Sequence, residues 1–229
     1  MRVFQNLILV GTSHIAKESI EEVERIINKE NPEVVALELD RTRYYALINK
    51  DEKKKAGLKE LRAIGLKGFL FAKLGEYIEK KLGKTVGVSP GDEMLKAAEV
   101  ASQNKLKIAL IDQKIEVTLK NFSKEITWKE KIRFFSDIIK GFLLRKKIKF
   151  DLNKVPDKKI IEELLKATKE RYPNFYKVLV EDRNKYMAKK LDKLMKNYSK
   201  IVAVVGAGHE EEIVEEIKSL SNSSTNKLD

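Results

Sequence analysis

Two histidines, His14 and His209, are all that this chain of 229 residues contains, and each stands three positions after a glycine that closes an apolar run. The two stretches read "LILVGTSHI" and "VAVVGAGHE". Imidazole exchanges protons near neutral pH and, when neutral, donates a lone pair to a metal. The two Gly-x-x-His turns therefore set the same chemistry at the ends of two similar segments. The alternative is that glycine marks a turn and histidine caps the next helix. For His209 this would be a first-turn position beside Glu210, Glu211 and Glu212, residues that themselves favour a helix start. Glu38 interrupts the apolar run "VVALELD", where a carboxylate is seldom buried without a partner. Its partner is either a group in a functional cleft or a nearby Arg41 or Arg43 that only holds the loop. Asp112 closes the run "KIALID" in the same way. Arg183 follows the helical spacing of Leu179, Met187, Leu191, Leu194 and Tyr198, so a permanent cation lies on an apolar stripe. There it either grips a carboxylate or phosphate with two prongs or extends its head to solvent over its alkyl stem.

The elements that must position these groups are legible from periodicity. Four short runs rich in Val, Ile and Leu, at 7–11, 34–39, 107–112 and 201–206, read as strands buried on both faces. Between the first two, Ile20, Val23, Ile26 and Ile27 mark a crossover helix that stops before Asn31-Pro32. Residues 93–104 form a helix after "SPGD", and 128–150 carry Ile132, Phe135, Ile138, Ile139 and Phe142 on one face. Residues 42–83 contain an amphipathic pattern at Phe69, Leu70, Leu74, Tyr77 and Ile78, and 157–198 read as a helical pair broken near Tyr172-Pro173. The expected fold class is α/β, a largely parallel central sheet flanked by helices, with long helical insertions. The expected organisation is one domain over 1–220, with insertions near 42–83 and 114–198 and a flexible polar tail at 221–229. In open sheets of this kind ligands bind outside the carboxyl ends of the strands. His14, Glu38, Asp112 and His209 all stand at or just past such ends, so they are expected to converge with Arg183 on one rim. The apolar stripes of the insertions exceed what one short sheet needs to cover and are expected to form a lid or a homodimer surface.

Composition bounds the function classes. The absence of cysteine excludes disulfides, thiolate metal sites and a cysteine nucleophile. The N-terminal apolar run is too short for a signal peptide and no stretch is long enough to span a bilayer, so a cytoplasmic location is expected. The net charge of +12 suits an anionic partner. The lysines are nevertheless spread along helical segments without interleaved Gly-aromatic motifs, which reads as solvated helix faces and disfavours nucleic acid. The abundance of Lys and Glu resembles heat-adapted proteins. Neither glycine turn matches a dinucleotide or P-loop pattern.

Taken in order, "GTSH", "PEVVALELDRTR", "SPGDEMLKAAEVA", "EDRNKYMAKKL" and "VVGAGHEEEI" resemble the TraB/PrgY pheromone-shutdown family. That family is related to the GumN and Tiki proteins and more remotely to erythromycin esterase and ChaN-like folds. The resemblance spans nearly the whole chain. It implies an α/β fold with paired Gly-x-x-His motifs and, by analogy with the Tiki branch, a metal-dependent peptidase. Carried over by position, the family's site falls on His14, Glu38, Glu93, Arg183 and His209. Many microbial relatives continue into hydrophobic membrane segments where this chain ends in polar residues, so membrane association is the expectation if the sequence is a piece of a longer protein.

Two function classes are open on these grounds. In the first the chain is a hydrolase of a peptide or similar amide or ester. His14, Glu38 and His209 would hold a divalent ion (Mn, Co or Zn) that activates water, or His14 would deprotonate water directly; Arg183 would fix a substrate carboxylate. In the second the same rim sequesters a peptide pheromone or other anionic small-molecule ligand and breaks no bond. A further expectation is contact with a membrane surface through the basic, apolar helices near 66–82 and 132–150.

Overall fold

A computed structural model describes residues 1–13, 17–49, 91–143 and 157–225. A five-stranded sheet in the order β1-β2-β5-β3-β4 forms the centre of the fold. Its strands are β1 (Arg2–Phe4), β2 (Leu7–Thr12), β3 (Val34–Leu37), β4 (Lys107–Leu110) and β5 (Ile201–Gly206). Strands β2, β5, β3 and β4 are parallel neighbours, and β1 joins the β2 edge antiparallel. The fold is α/β, as the run of buried strands and crossover helices requires.

Side chains on each strand alternate between two cores. Ile8, Val10, Val35, Leu37, Val202 and Val204 meet α1 (Lys17–Glu30) and α3 (Asp92–Gln103) through Val23, Ile26, Ile27, Met94, Ala97 and Ala101. Leu7, Leu9, Val34, Ala36, Ile201, Ala203 and Val205 face the other way, onto α8 (Asp182–Met195) and α9 (Glu210–Thr225). Strands β3 and β5 carry no polar side chain because helices cover both faces. Helix α1 stops where Asn31 turns to a φ of 43° ahead of Pro32. Helix α2 (Arg41–Ile48) starts on Asp40, whose Oδ1 accepts the Thr42 and Arg43 N–H groups at 2.7 and 3.2 Å. Helix α3 starts on Gly91 at φ 90°, where a side chain would be strained and its Cβ would also lie 3.2 Å from Leu47 Cδ1.

The expected strand at 201–206 matches β5; those at 34–39 and 107–112 end two residues early, at Leu37 and Leu110. Glu38 and Asp112 thus lie just past their strands rather than in them. Strand β1 was not foreseen: it is three residues long and precedes a tight turn at Gln5, φ 52°. Helix α9 runs on to Thr225, through part of the polar stretch expected to be a flexible tail. The amphipathic pattern of 42–83 lies mostly outside the described residues; within them only α2 is seen. The segment 128–150 is helical over α5 (Trp128–Leu143), and its remainder is outside the described residues.

The second insertion is divided: its last helix, α8, packs on the sheet through Met187, Ala188 and Leu191 and so does not stand apart as expected, whereas helices before it build a small core of their own. Helices α4 (Ile115–Glu125), α5, α7 (Pro173–Tyr176) and a π-helical turn at Lys177–Glu181 bring together Phe122, Ile126, Phe175 and Val178. Phe122 meets Phe175 edge-on, with ring centroids 4.9 Å apart. Thr127 and Glu130 close the start of α5 as a capping box: each backbone N–H donates to the other residue's side chain, at 3.2 and 3.3 Å. Helix α6 (Lys158–Arg171) instead reaches back over the carboxyl ends of the strands. The break expected at Tyr172-Pro173 separates α6 from α7.

Candidate functional site

Parallel strands β2 and β5 lie side by side with Gly11 opposite Val205 and Thr12 opposite Gly206, so the two Gly-x-x-His segments leave the sheet as neighbours, one residue out of step. Beyond them, and beyond β3, lies a cavity of about 640 Å³. Its polar lining includes Thr12, Ser13, Glu38, Arg43, Glu93, Arg183 and His209, and its apolar lining includes Leu39, Leu47, Met94, Ile161, Leu165 and Val180. Glu38 and His209 are therefore gathered around one cavity, as the strand-end argument anticipates; Arg183, from its helical stripe, and Glu93, from the resemblance, line it too, whereas Asp112 lies behind Arg183 and not in the lining. His14 lies outside the described residues.

Neither motif glycine has a left-handed φ. Gly11 leaves room for the Glu210 carboxylate: a Cβ there would displace it and come 3.0 Å from Ala207 Cα. Gly206 contributes its backbone, donating its N–H to Glu38 Oε2 at 2.6 Å. A backbone donor from the second motif thus holds the carboxylate just past β3.

Arg183 occupies the middle of the polar network, and four of its five N–H groups have oxygen partners. Nε donates to Asp112, with Oδ2 3.1 Å away. Nη2 donates to Asp112 Oδ2 at 2.7 Å and to Glu38 Oε1. Nη1 donates to the Leu179 carbonyl at 3.2 Å and lies 3.5 Å from His209 Nε2. Burial by itself would favour loss of the guanidinium's proton, but the Glu38 and Asp112 charges outweigh it and hold Arg183 more firmly protonated than usual. Arg43 approaches Asp112 from the other side, donating from Nη2 at 2.6 Å. Of the two alternatives open to Glu38 from sequence, a group of the cleft or a nearby Arg41 or Arg43, the cleft partner holds: Glu38 is paired with Arg183, and Arg43 bridges Asp40 and Asp112.

His209 is oriented by a chain of side chains that pattern reading did not reach. Its Nδ1 is 2.6 Å from Asn184 Oδ1. Asn184 Nδ2 donates to Glu212 Oε2 at 2.7 Å, and the Tyr176 hydroxyl donates to Glu212 Oε1. Because the amide nitrogen faces a carboxylate, the amide oxygen faces the ring, so Nδ1 carries a proton. In the neutral imidazole the lone pair is then on Nε2, beside Arg183 Nη1 and 3.4 Å from Glu38 Oε1. Burial and the Glu212 charge push the Tyr176 phenol up, so it stays a donor across the working range. An asparagine in the first turn of α8, directly after Arg183, was the available sequence signal.

A divalent ion on His14, Glu38 and His209 would have two of its ligands among the described residues. Those two, Glu38 Oε1 and His209 Nε2, both lie against the Arg183 guanidinium. An ion between them would share the space with a positive charge, and no three acidic or histidine groups among the described residues converge as ligands. The two described ligands, Glu38 and His209, fit a resident metal poorly as arranged around Arg183.

Asp40 yields a pH prediction. Burial tends to raise its carboxyl, but hydrogen bonds and charge from Arg43, with the Thr42 N–H, lower it below the ordinary value. A carboxyl depressed on folding stabilises the protein above its unfolded pKa, near 4, and that contribution fades as pH falls through the lower folded value. Thermal melts between pH 3 and 7 are expected to show a shallower acid limb for Asp40→Asn than for the wild type, with the difference narrowing toward the acid end.

The family model described as TraB/PrgY/gumN matches residues 4–219. The uncharacterized protein MJ1365 of Methanocaldococcus jannaschii is 42% identical over 223 residues, covering 95% of this chain and 54% of its own length. TraB domain-containing proteins of Bos taurus and Homo sapiens are 26% and 25% identical, each covering 88% of this chain, with 59% and 60% of their own lengths matched. The chain thus spans a little over half the length of the relatives it matches. A model matched across nearly the whole sequence and a close archaeal relative lead to one conclusion: the chain belongs to the TraB/PrgY/gumN family.

Proposed function

We propose that this protein hydrolyses an amide or ester bond, in a peptide or a similar acyl compound, with His209 as the group that moves the proton. The observation that carries the reading is the fixed imidazole: Nδ1 is tied to Asn184 at 2.6 Å while Nε2 stands at the lining of a cavity, 3.4 Å from Glu38 Oε1. In this scheme Nε2 takes a proton from a water in the cavity as that water attacks the carbonyl carbon. The same nitrogen returns the proton to the departing amine or alcohol. Glu38 stabilises the imidazolium that forms between the two transfers. Arg183 keeps Glu38 and the ring in register; with its N–H groups engaged inside the protein, it does not take the substrate carboxylate. That role passes to Arg43, which lines the same cavity. Ile161, Leu165 and Val180 supply an apolar wall for the acyl side chain.

The test is incubation of the purified protein with peptide pools and aryl esters, read by mass spectrometry and absorbance, beside His209→Ala. Cleavage by the wild type alone supports the scheme. Retention of a peptide without cleavage would favour sequestration. Removal of metal supplies a separate prediction: turnover is expected to survive dialysis against a chelator, since the described donors are held by Arg183 rather than arranged around an ion. A loss restored by manganese, cobalt or zinc would instead identify Glu38 and His209, with His14, as metal ligands.

A further inference from the structure

We propose that α5 docks this protein on an anionic lipid bilayer, with Trp128, Ile132 and Phe135 entering the headgroup region. The three have a four- then three-residue spacing and so share one helical face. They are 66%, 67% and 47% exposed. Phe134, one step round the helix, turns inward and stacks on Phe175 at 5.3 Å.

The charges of α5 are sorted in the same way. Both of its acidic residues are engaged within the protein. Glu130 is buried and accepts from Asn174 N and Nδ2 at 2.9 and 2.7 Å. Asp137 is held by Arg171 Nη2 at 2.6 Å and by the Tyr172 hydroxyl. Lys129, Arg133 and Lys140 are exposed, and Lys131 places its Nζ 5.2 Å from the centre of the Trp128 ring. An apolar stripe containing tryptophan and bordered by cations is the arrangement of helices that lie in the membrane interface, where each lysine or arginine adds attraction to anionic headgroups. Charge also decides against a second copy as the occupant. The chain carries +12, and two such faces brought together would set like charges opposite each other.

Trp128 is the sole tryptophan, so its fluorescence reports on this face alone. With phosphatidylglycerol-containing vesicles the emission is expected to shift to the blue and the protein to co-sediment, whereas pure phosphatidylcholine vesicles should give neither. Ile132→Asp is expected to weaken partitioning about tenfold or more, as is the double variant Lys129→Glu, Lys131→Glu. Circular dichroism checks that both variants retain the fold. The proposal is overturned if anionic vesicles cause no shift, if neutral vesicles bind equally well, or if Ile132→Asp binds like the wild type. It is also overturned if the blue shift grows with protein concentration in the absence of lipid, which would make a second copy the occupant. None of these readings depends on hydrolysis.

Discussion

Arg183→Ala is expected to lower unfolding free energy by about 3–5 kcal/mol, the largest stability effect at any single position of the site. Its guanidinium joins α8 to the segments after β3 and β4 through Glu38 and Asp112, both buried. Removing it leaves two carboxylates in a low-dielectric setting with a donor lost from each, and that desolvation penalty exceeds what the pair contributes when intact. Arg183→Lys is expected to recover little, because an ammonium cannot span Asp112 and Glu38 with a planar fork. Urea unfolding of the three proteins measures this. A loss below about 1 kcal/mol, typical of an exposed ion pair, would contradict the buried network. Cavity chemistry should fail with the fold in Arg183→Ala, so stability and turnover are to be read on the same preparations.

His209→Ala is expected to reduce turnover by about 10²–10⁴-fold, with a fall in stability smaller than that of Arg183→Ala, since the buried Asn184 Oδ1 loses its partner. The ring lies at the cavity lining, and its removal leaves Asn184 still bound to Glu212. Asn184→Ala supplies the discriminating companion. It keeps the imidazole but releases Nδ1, so both tautomers become populated and turnover should fall by less than in His209→Ala, with a displaced pH profile. Equal turnover in the wild type and His209→Ala would remove the ring from the chemistry. An Asn184→Ala profile superimposable on the wild type would remove the tautomer argument.

Much of the architecture is set by local pattern. Runs such as "VVAL" and "IVAVVG" have no polar face, so a parallel sheet covered on both sides was the arrangement able to bury them. Once the strands were parallel, residues at their carboxyl ends had to share a rim, which is why Glu38 and His209 could be assigned to one cleft from spacing alone. Arg183 was legible for a related reason: a cation on an apolar helical stripe requires a partner. What pattern could not decide was which of the candidate cations Glu38 meets. Arg43 stands five residues from Glu38 and Arg183 stands 145 away, yet Glu38 pairs with Arg183, because β5 lies between β2 and β3 and α8 packs over that junction. Strand order is set by how whole faces bury, and periodicity within any one strand does not encode it. The same holds for Asn184, Glu212 and Tyr176, which come from the N-terminal part of α8, the first turn of α9 and the end of α7. The residue types able to do chemistry are therefore written locally. The tautomer of His209 and the engagement of Arg183 by Asp112, Glu38 and the Leu179 carbonyl arise from long-range packing, which alone decides which donor meets which acceptor.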